Sequence, residues 1–177
     1  MTWYVVDGMD GVGKSSVARR ICAAMESEGR RVKVFTHPNR DTRIGRMEAK
    51  LLTVPGKPAK ALSVVFYILD VMGSVRYMKR RRTEYDDIIF VRYIMEVAYL
   101  NDRLIPPAYR FFELFFPPME VSILVDLDPE EAFRRIESRG EELEVYEEPE
   151  KLRLIGGRMR KLADEHGWYV IDNGGSE

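Results

Sequence analysis

The sequence predicts an α/β fold built on a parallel sheet, and three observations carry the prediction. Short runs rich in β-branched and aromatic residues alternate with longer helix-forming stretches along the whole chain, the pattern that right-handed βαβ crossovers produce. Two central runs, DDIIFVRY and VSILVDLD, are apolar without alternation, as strands covered by helices on both faces are. Between the first such run and the first helix, Gly8 to Ser15 read Gly-Met-Asp-Gly-Val-Gly-Lys-Ser, the spacing of a phosphate-binding loop.

TWYVVD is the first strand, and SSVARRICAAMESEG is a helix with Val17, Ile21 and Met25 on one face and its end near Gly29. RVKVFTHP is a second strand closed by Pro38, and NRDTRIGRMEAKLL is a polar loop turning into a short helix. A long helix runs from about Ala59 to Arg82 and ends in the basic run Lys79, Arg80, Arg81 and Arg82. After the strand DDIIFVRY, IMEVAYLNDRL and YRFFELFF read as helices. The strand VSILVDLD leads into DPEEAFRRIESRG, where Asp128 is the N-cap, Pro129 the first helical residue and Glu131 lies three residues beyond the cap. A glutamate-rich segment precedes a last helix around LRLIGGRMRKLADEHG, and WYVID is the fifth strand.

The 177 residues suit one domain with an ordinary core, and no linker or repeat divides them. Hydrophobic residues are 45%, charged residues 32% and the formal net charge is -1, which excludes disorder, a collagen-like repeat and a uniformly basic nucleic-acid binder. The single cysteine, Cys22, excludes an internal disulfide and a cysteine-based metal cluster. A reducing cytoplasm fits, and the chain shows no signal-like start. The most apolar stretch, ALSVVFYILDVMG, is too short for a bilayer and contains Asp70, so no membrane association is expected.

In the phosphate-binding loop, the glycines let successive N–H groups turn inward while the following helix adds its positive end. Gly8, Met9, Asp10, Gly11, Val12, Gly13, Lys14, Ser15 and Ser16 are therefore the candidate seat of a triphosphate nucleotide. Lys14 adds a mobile cation. Ser15 is the candidate Mg²⁺ ligand, since that ion is held mostly by water, phosphate oxygens and one or two protein groups.

The loop GMDGVGKSS, the strand ends VFTHP and FVRY, the stretch ILVDLDPEEAFRRIESRG and the ending YVIDNGGS together resemble the thymidylate kinase family of P-loop nucleoside monophosphate kinases. The resemblance covers nearly the whole chain. It implies the P-loop nucleoside kinase fold, with five parallel strands in the order 2-3-1-4-5, helices on both faces and a lid at about 138–150. It implies ATP and Mg²⁺ as cofactors and transfer of a phosphoryl group to dTMP or a related acceptor. Lys14 and the loop backbone are then expected on the donor phosphates, Asp10 on the acceptor sugar, Arg92 on the acceptor phosphate and Arg139 at the transferred phosphate. Asn173 and Gly174 are expected near the donor base, and His37, Asp70 and Tyr93 join Asp10 and Arg92 as acceptor-side candidates.

Several positions depart from the family pattern. Val91 stands where the family has the Asp of Asp-Arg-Tyr, Val71 where it has an Arg on the thymine base, and Thr36 and His37 where it has Arg-Glu. Glu144 and Val145 occupy the place of a lid Asp-Arg pair, and Val12 means that the loop supplies no arginine instead. An arginine at a transferring phosphate is worth about 10³ to 10⁵ in rate, whereas phosphate binding by the loop does not need it. Phosphorylation of a different small acceptor, and a nucleotide-binding protein with little catalysis, therefore stay open.

His37 and His166 belong to no ligand or triad pattern, so structural roles are the plainer reading, although His37 ends a strand on the expected ligand side. Lys79 to Arg82 read as a solvated helix end, and Phe111, Phe112, Phe115 and Phe116 as core or dimer interface, because no basic residues are interleaved for nucleic-acid stacking. Asp126 is open as a metal ligand. Glu141, Glu142, Glu144, Glu147 and Glu148 read as a solvated, mobile lid. The resemblance also implies a homodimer packed through helices, with the helix from Ala59 as its surface.

Overall fold

The computed structural model describes residues 1–117, 119–140, 144 and 146–174. Its strands are β1 (Thr2–Asp7), β2 (Val32–Thr36), β3 (Asp87–Val91), β4 (Val121–Asp126) and β5 (Tyr169–Asp172). They form one five-stranded sheet in the order β2-β3-β1-β4-β5, as the resemblance implies, and every pairing is parallel. Parallel pairing brings all the C-terminal strand ends to one edge. Because β1 lies between β3 and β4, with Val6 opposite both Val91 and Ile123, the chain leaves it at the point where successive crossovers diverge. Such a switch point opens a crevice for ligands.

The helices are α1 (Lys14–Ser27), α2 (Arg43–Leu52), α3 (Lys57–Arg80), α4 (Ile105–Phe115), α5 (Pro129–Glu137) and α6 (Pro149–His166). All five residues of β3 are buried, which explains their unbroken apolar run. Phe90 stacks on Trp3 at 5.4 Å and on Phe35 at 5.3 Å between ring centres, so three strands share one aromatic layer. The start of α5 follows its sequence signals: Asp128 Oδ1 accepts from the N–H groups of Glu130 and Glu131 at 3.0 and 3.2 Å.

The helix expected over IMEVAYLNDRL is instead a short 3-10 helix at Met95–Tyr99. Both ends of that segment are held from elsewhere in the chain. Asp7 accepts from the N–H groups of Tyr93 and Met95 at 3.1 Å, and Arg158 Nη1 donates to the carbonyls of Ala98 and Leu100 at 3.1 Å. Those groups are then unavailable for a regular helix ladder.

At 24 residues, with an 18-residue window of mean hydropathy 1.4, α3 is long and apolar enough to cross a membrane by length and composition. In the fold it buries one side, including Tyr67, Asp70, Val71 and Met78, and leaves Leu62, Val65, Leu69 and Met72 exposed. Leu114 and Phe115 of α4 are exposed as well, and Leu69, Met72 and Phe115 line one shallow groove.

Candidate active site

The loop after β1 carries the backbone its glycines permit. Gly11 and Gly13 adopt φ of 82° and 88°, and a Cβ on Gly11 would sit 2.3 Å from the carbonyl oxygen of Ala132. No side chain caps α1 at Gly13; the Ser16 and Val17 N–H groups bond to the Gly13 carbonyl at 3.0 and 3.1 Å, and the positive end of the helix lies at the loop. Ser15 and Ser16 are exposed there. The side chains of Met9 and Val12 are buried in the core, so those two residues offer the site main chain only.

Lys14 is nearly buried, and its ammonium donates to the carbonyls of Gly8 and Met9 at 2.7 Å while lying 3.5 Å from Asp10 Oδ1. Asp10 pairs on the same oxygen with Arg92, and its Oδ2 accepts from the Tyr99 hydroxyl at 2.8 Å. Burial pushes the Asp10 pKa up, but Arg92 and Lys14 outweigh it and bring the carboxyl down to about 2. Arg92, directly after β3, adopts φ 63°. A left-handed backbone on a residue with a Cβ is locally costly, and such conformations concentrate at functional sites.

Two clefts meet at this cluster. The larger, about 1890 Å³ including space open to solvent, runs past Gly11, Gly13, Lys14, Ser15 and Ser16 and on to Arg135, Arg139 and Asn173. The smaller, about 690 Å³ on the same measure, is lined by Glu48, Tyr67, Glu96, Tyr99, Phe112 and Tyr146 among others. Asp10, Arg92 and Glu144 line both. The arrangement offers a cationic phosphate seat at the junction of two ligand-sized spaces.

The other expected residues divide. Asn173 packs on the loop, its Nδ2 donating to the Val12 carbonyl at 2.8 Å, and the Gly174 N–H bonds back to Asp172 at 2.8 Å. Arg139 lines the large cleft and lies 3.6 Å from Glu147. His37 borders the large cleft with its backbone region, but its side chain is fully buried and its Nδ1 is 2.8 Å from Asp70 Oδ2. Asp70 also accepts from the Asn39 N–H at 2.7 Å and the Thr42 hydroxyl at 3.0 Å. That carboxylate ties the loop after β2 to α3 and lines neither cleft, contrary to its expected acceptor-side place. Tyr93 is likewise displaced from expectation: its ring lies in the core beside Phe90 and its carbonyl accepts from the Tyr67 hydroxyl.

Asp126 is engaged by Arg160 at 2.6 Å, and among the described residues no cluster of three acidic, histidine or cysteine groups could hold a metal. Glu147 corrects the picture of a solvated lid. It is buried, and its Oε2 accepts from the Glu144 N–H at 2.8 Å. Glu141, Glu142 and Val145 lie outside the described residues. His166 stacks on Tyr109 at 3.8 Å between ring centres, a structural place as expected.

Glu48 and Glu96 were not legible as site residues. Gly45 and Glu48 face inward on α2 while Ile44 and Met47 face out, the reverse of the usual apolar stripe. A Cβ on Gly45 would lie 2.1 Å from the Asn39 carbonyl oxygen, so the loop after β2 closes directly on this helix and turns Glu48 into the cleft. The three-residue spacing of Gly45 and Glu48 behind the Thr42 cap was the available signal. Burial pushes both carboxyls, Glu48 and Glu96, up to about 8. Burial also raises Glu144, with Arg92 opposing.

The thymidylate kinase family model matches residues 6–176. A probable thymidylate kinase of Pyrobaculum calidifontis is 29% identical over 175 residues, covering 97% of this chain and 88% of that relative. Another, of Archaeoglobus fulgidus, is 26% identical over 162 residues, covering 90% and 81%. A solved thymidylate kinase from Candida albicans superposes with a TM-score of 0.76 at 18% identity, over 99% of this chain and 85% of that one. With a phosphate-binding loop, the 2-3-1-4-5 sheet and a family match that spans almost every residue, the chain belongs to the thymidylate kinase family, whose members are ATP-dependent nucleoside monophosphate kinases.

Proposed function

We propose that the loop from Gly8 to Ser16 holds the triphosphate of ATP in the larger cleft, and that Arg92 holds the phosphate of a nucleoside monophosphate where the two clefts meet. The single observation that carries this reading is the Asp10, Arg92 and Glu144 junction shared by both clefts, beside Lys14. In-line transfer needs donor and acceptor phosphates side by side, and most of its barrier reduction comes from positioning and charge stabilisation with no covalent enzyme intermediate.

Lys14 contributes an ammonium already oriented by Asp10 and two carbonyls, and it reaches the donor phosphates by exchanging those carbonyls for phosphate oxygens. The planar Arg92 guanidinium can grip two oxygens of the acceptor phosphate. Arg139, which lines the larger cleft, would meet the transferred phosphoryl group once released from Glu147. Ser15 would hold Mg²⁺, which when bound neutralises charge on the β- and γ-phosphates. Asn173, which lines the larger cleft, and Gly174 after it would lie near the donor base. The whole chain acts as one P-loop unit with its lid at about 138–150, in the cytoplasm, and the exposed apolar faces of α3 and α4 pair two copies into a homodimer.

dTMP, the acceptor in the family's name, is the reference substrate. The Candida albicans enzyme is described as having broad substrate specificity, which supports measuring others beside it. The test is coupled ADP release with ATP, Mg²⁺ and a panel of deoxy- and ribonucleoside monophosphates. Turnover of at least one is expected, with Lys14→Ala lowering it by about 10² or more while its circular-dichroism spectrum stays that of the parent. A panel without turnover removes the reading.

A further inference from the structure

Four arginines, Arg40, Arg92, Arg135 and Arg139, line the larger cleft, and three of them are held. Arg92 pairs with Asp10, Arg139 lies 3.6 Å from Glu147, and Arg135 donates to Glu131 at 3.2 Å and to the Asn173 carbonyl at 3.3 Å. Lys33, on the same wall, sits over the Phe35 ring at 5.6 Å. The Arg40 guanidinium makes no hydrogen bond or ion pair with any described residue, its neighbour Asp41 included. An exposed arginine without a partner is ordinary. What sets Arg40 apart is where its main chain stands and how firmly it is fixed there.

β2 and β3 are neighbours, with Thr36 opposite Val91 and the His37 N–H donating to the Val91 carbonyl at 3.0 Å. Arg92 and the loop carrying Arg40 therefore rise from adjacent strand ends, about 4.8 Å apart, while the phosphate-binding loop leaves β1 on the other side of β3. Arg40 lines the larger cleft and not the smaller, which places it toward the junction and away from the inner wall. Its main chain is tied down from two helices. Arg46 Nη1 donates to the carbonyls of Arg40 and Asp41 at 3.0 and 3.2 Å, and Asp70 accepts from the Asn39 N–H and the Thr42 hydroxyl on either side. A ligand that meets Arg40 then orders one side chain and not a loop.

The charge at the junction calls for such a group. Lys14 and Arg92 share the single carboxylate of Asp10, so the three together supply one net positive charge where a triphosphate and a phosphate dianion must lie side by side. Thr36, the strand end nearest Arg92 on β2, stands where the family has an arginine and adds no cation. Building on the kinase reading above, we propose that Arg40 is a second guanidinium on the acceptor phosphate beside Arg92, supplied by the loop after β2 four residues beyond the arginine missing at Thr36. Its planar fork takes phosphate oxygens that Arg92 leaves free.

The experiment compares parent, Arg40→Ala and Arg40→Lys on the full chain. Calorimetry measures binding of ATP with Mg²⁺, and then of dTMP, dCMP, dAMP and dGMP, each beside its own nucleoside; coupled ADP release gives the two KM values. For whichever monophosphate binds, Arg40→Ala is expected to weaken it about tenfold or more, with its nucleoside and the KM for ATP each moving less than about twofold. Arg40→Lys, which keeps the charge without the fork, falls between the two. Unchanged monophosphate affinity in Arg40→Ala, with a parent-like circular-dichroism spectrum, overturns the proposal. Equal weakening of monophosphate and nucleoside overturns it too, since the contact would then be to base or sugar, as does a KM for ATP that rises as much as that of the acceptor. ATP binding with no monophosphate bound also overturns it, whereas absence of ATP binding removes the underlying kinase reading and the proposal with it.

Discussion

Replacing Glu48 by Gln tests the buried acid by its effect on stability, independently of any ligand. The side chain is 4% exposed. Burial raises its pKa first, the Asp70, Glu96 and Glu144 carboxyls push the same way, and only Arg92 opposes, so the group moves from 4.5 to about 8. The folded protein therefore holds this proton up to about pH 8, while the unfolded chain releases it near 4.5. Between those values the folded state binds more protons, so stability falls as pH rises and levels off above the folded pKa. At about 1.4 kcal/mol per pH unit, the full difference is on the order of 5 kcal/mol. The amide has the shape of the protonated acid and carries no such penalty. In urea denaturation at steps from pH 5 to pH 9, Glu48→Gln is expected to match the parent near pH 5 and to exceed it by several kcal/mol above pH 8, on the order of that difference. A variant that tracks the parent at every pH, or that is less stable at pH 9, refutes the assignment of a buried, proton-holding carboxyl at this position.

Arg92→Lys keeps the charge and the left-handed backbone but loses the planar pair of donors that can serve Asp10 and a phosphate together. The expected result is an acceptor KM raised about tenfold or more with the KM for ATP nearly unchanged; equal changes in both would place Arg92 in the donor site instead. Asp128→Ala removes the oxygen that accepts from Glu130 and Glu131 at the start of α5. A loss of about 1 kcal/mol corresponds to roughly 2–4 °C in Tm for a chain of this size, and turnover should not change, since Asp128 lines neither cleft.

What could be read from the sequence was local. The apolar runs of β3 and β4, the glycine spacing after β1 and the Asp128-Pro129 helix start each depend on neighbours within a few residues, and each stands in the fold as expected. The strand order came from the resemblance, because nothing within an individual strand records which strand pairs with it. Where the reading failed, a distant group had intervened. Asp7 takes the N–H groups of Tyr93 and Met95 and Arg158 takes the carbonyls of Ala98 and Leu100, so a helix-forming sequence became a short 3-10 turn. Asp70 pairs with His37 Nδ1 across 33 residues, a contact between the loop after β2 and α3 that no local pattern records. Nothing beside Glu48 in the sequence records its burial, because the close approach that buries it is made at Gly45 by the Asn39 backbone.

The same buried acids resolve an electrostatic contradiction in the site. With every group ionised, the junction and the smaller cleft would set Asp10, Glu48, Glu96 and Glu144 against Lys14, Arg92 and Lys60, and a phosphate dianion entering there would meet an excess of negative charge. Burial changes the balance. It raises Glu48 and Glu96 to about 8, so that near neutral pH these two carboxyls are held largely protonated, and it lifts Glu144 as well. Asp10, brought down to about 2 by Arg92 and Lys14, stays charged, and Lys14, Arg92 and Lys60 then outnumber the charged carboxylates. Glu48 and Glu96 can therefore line the smaller cleft without repelling a phosphate at Arg92, because the low-dielectric surroundings that leave their oxygens unpaired also remove their charge.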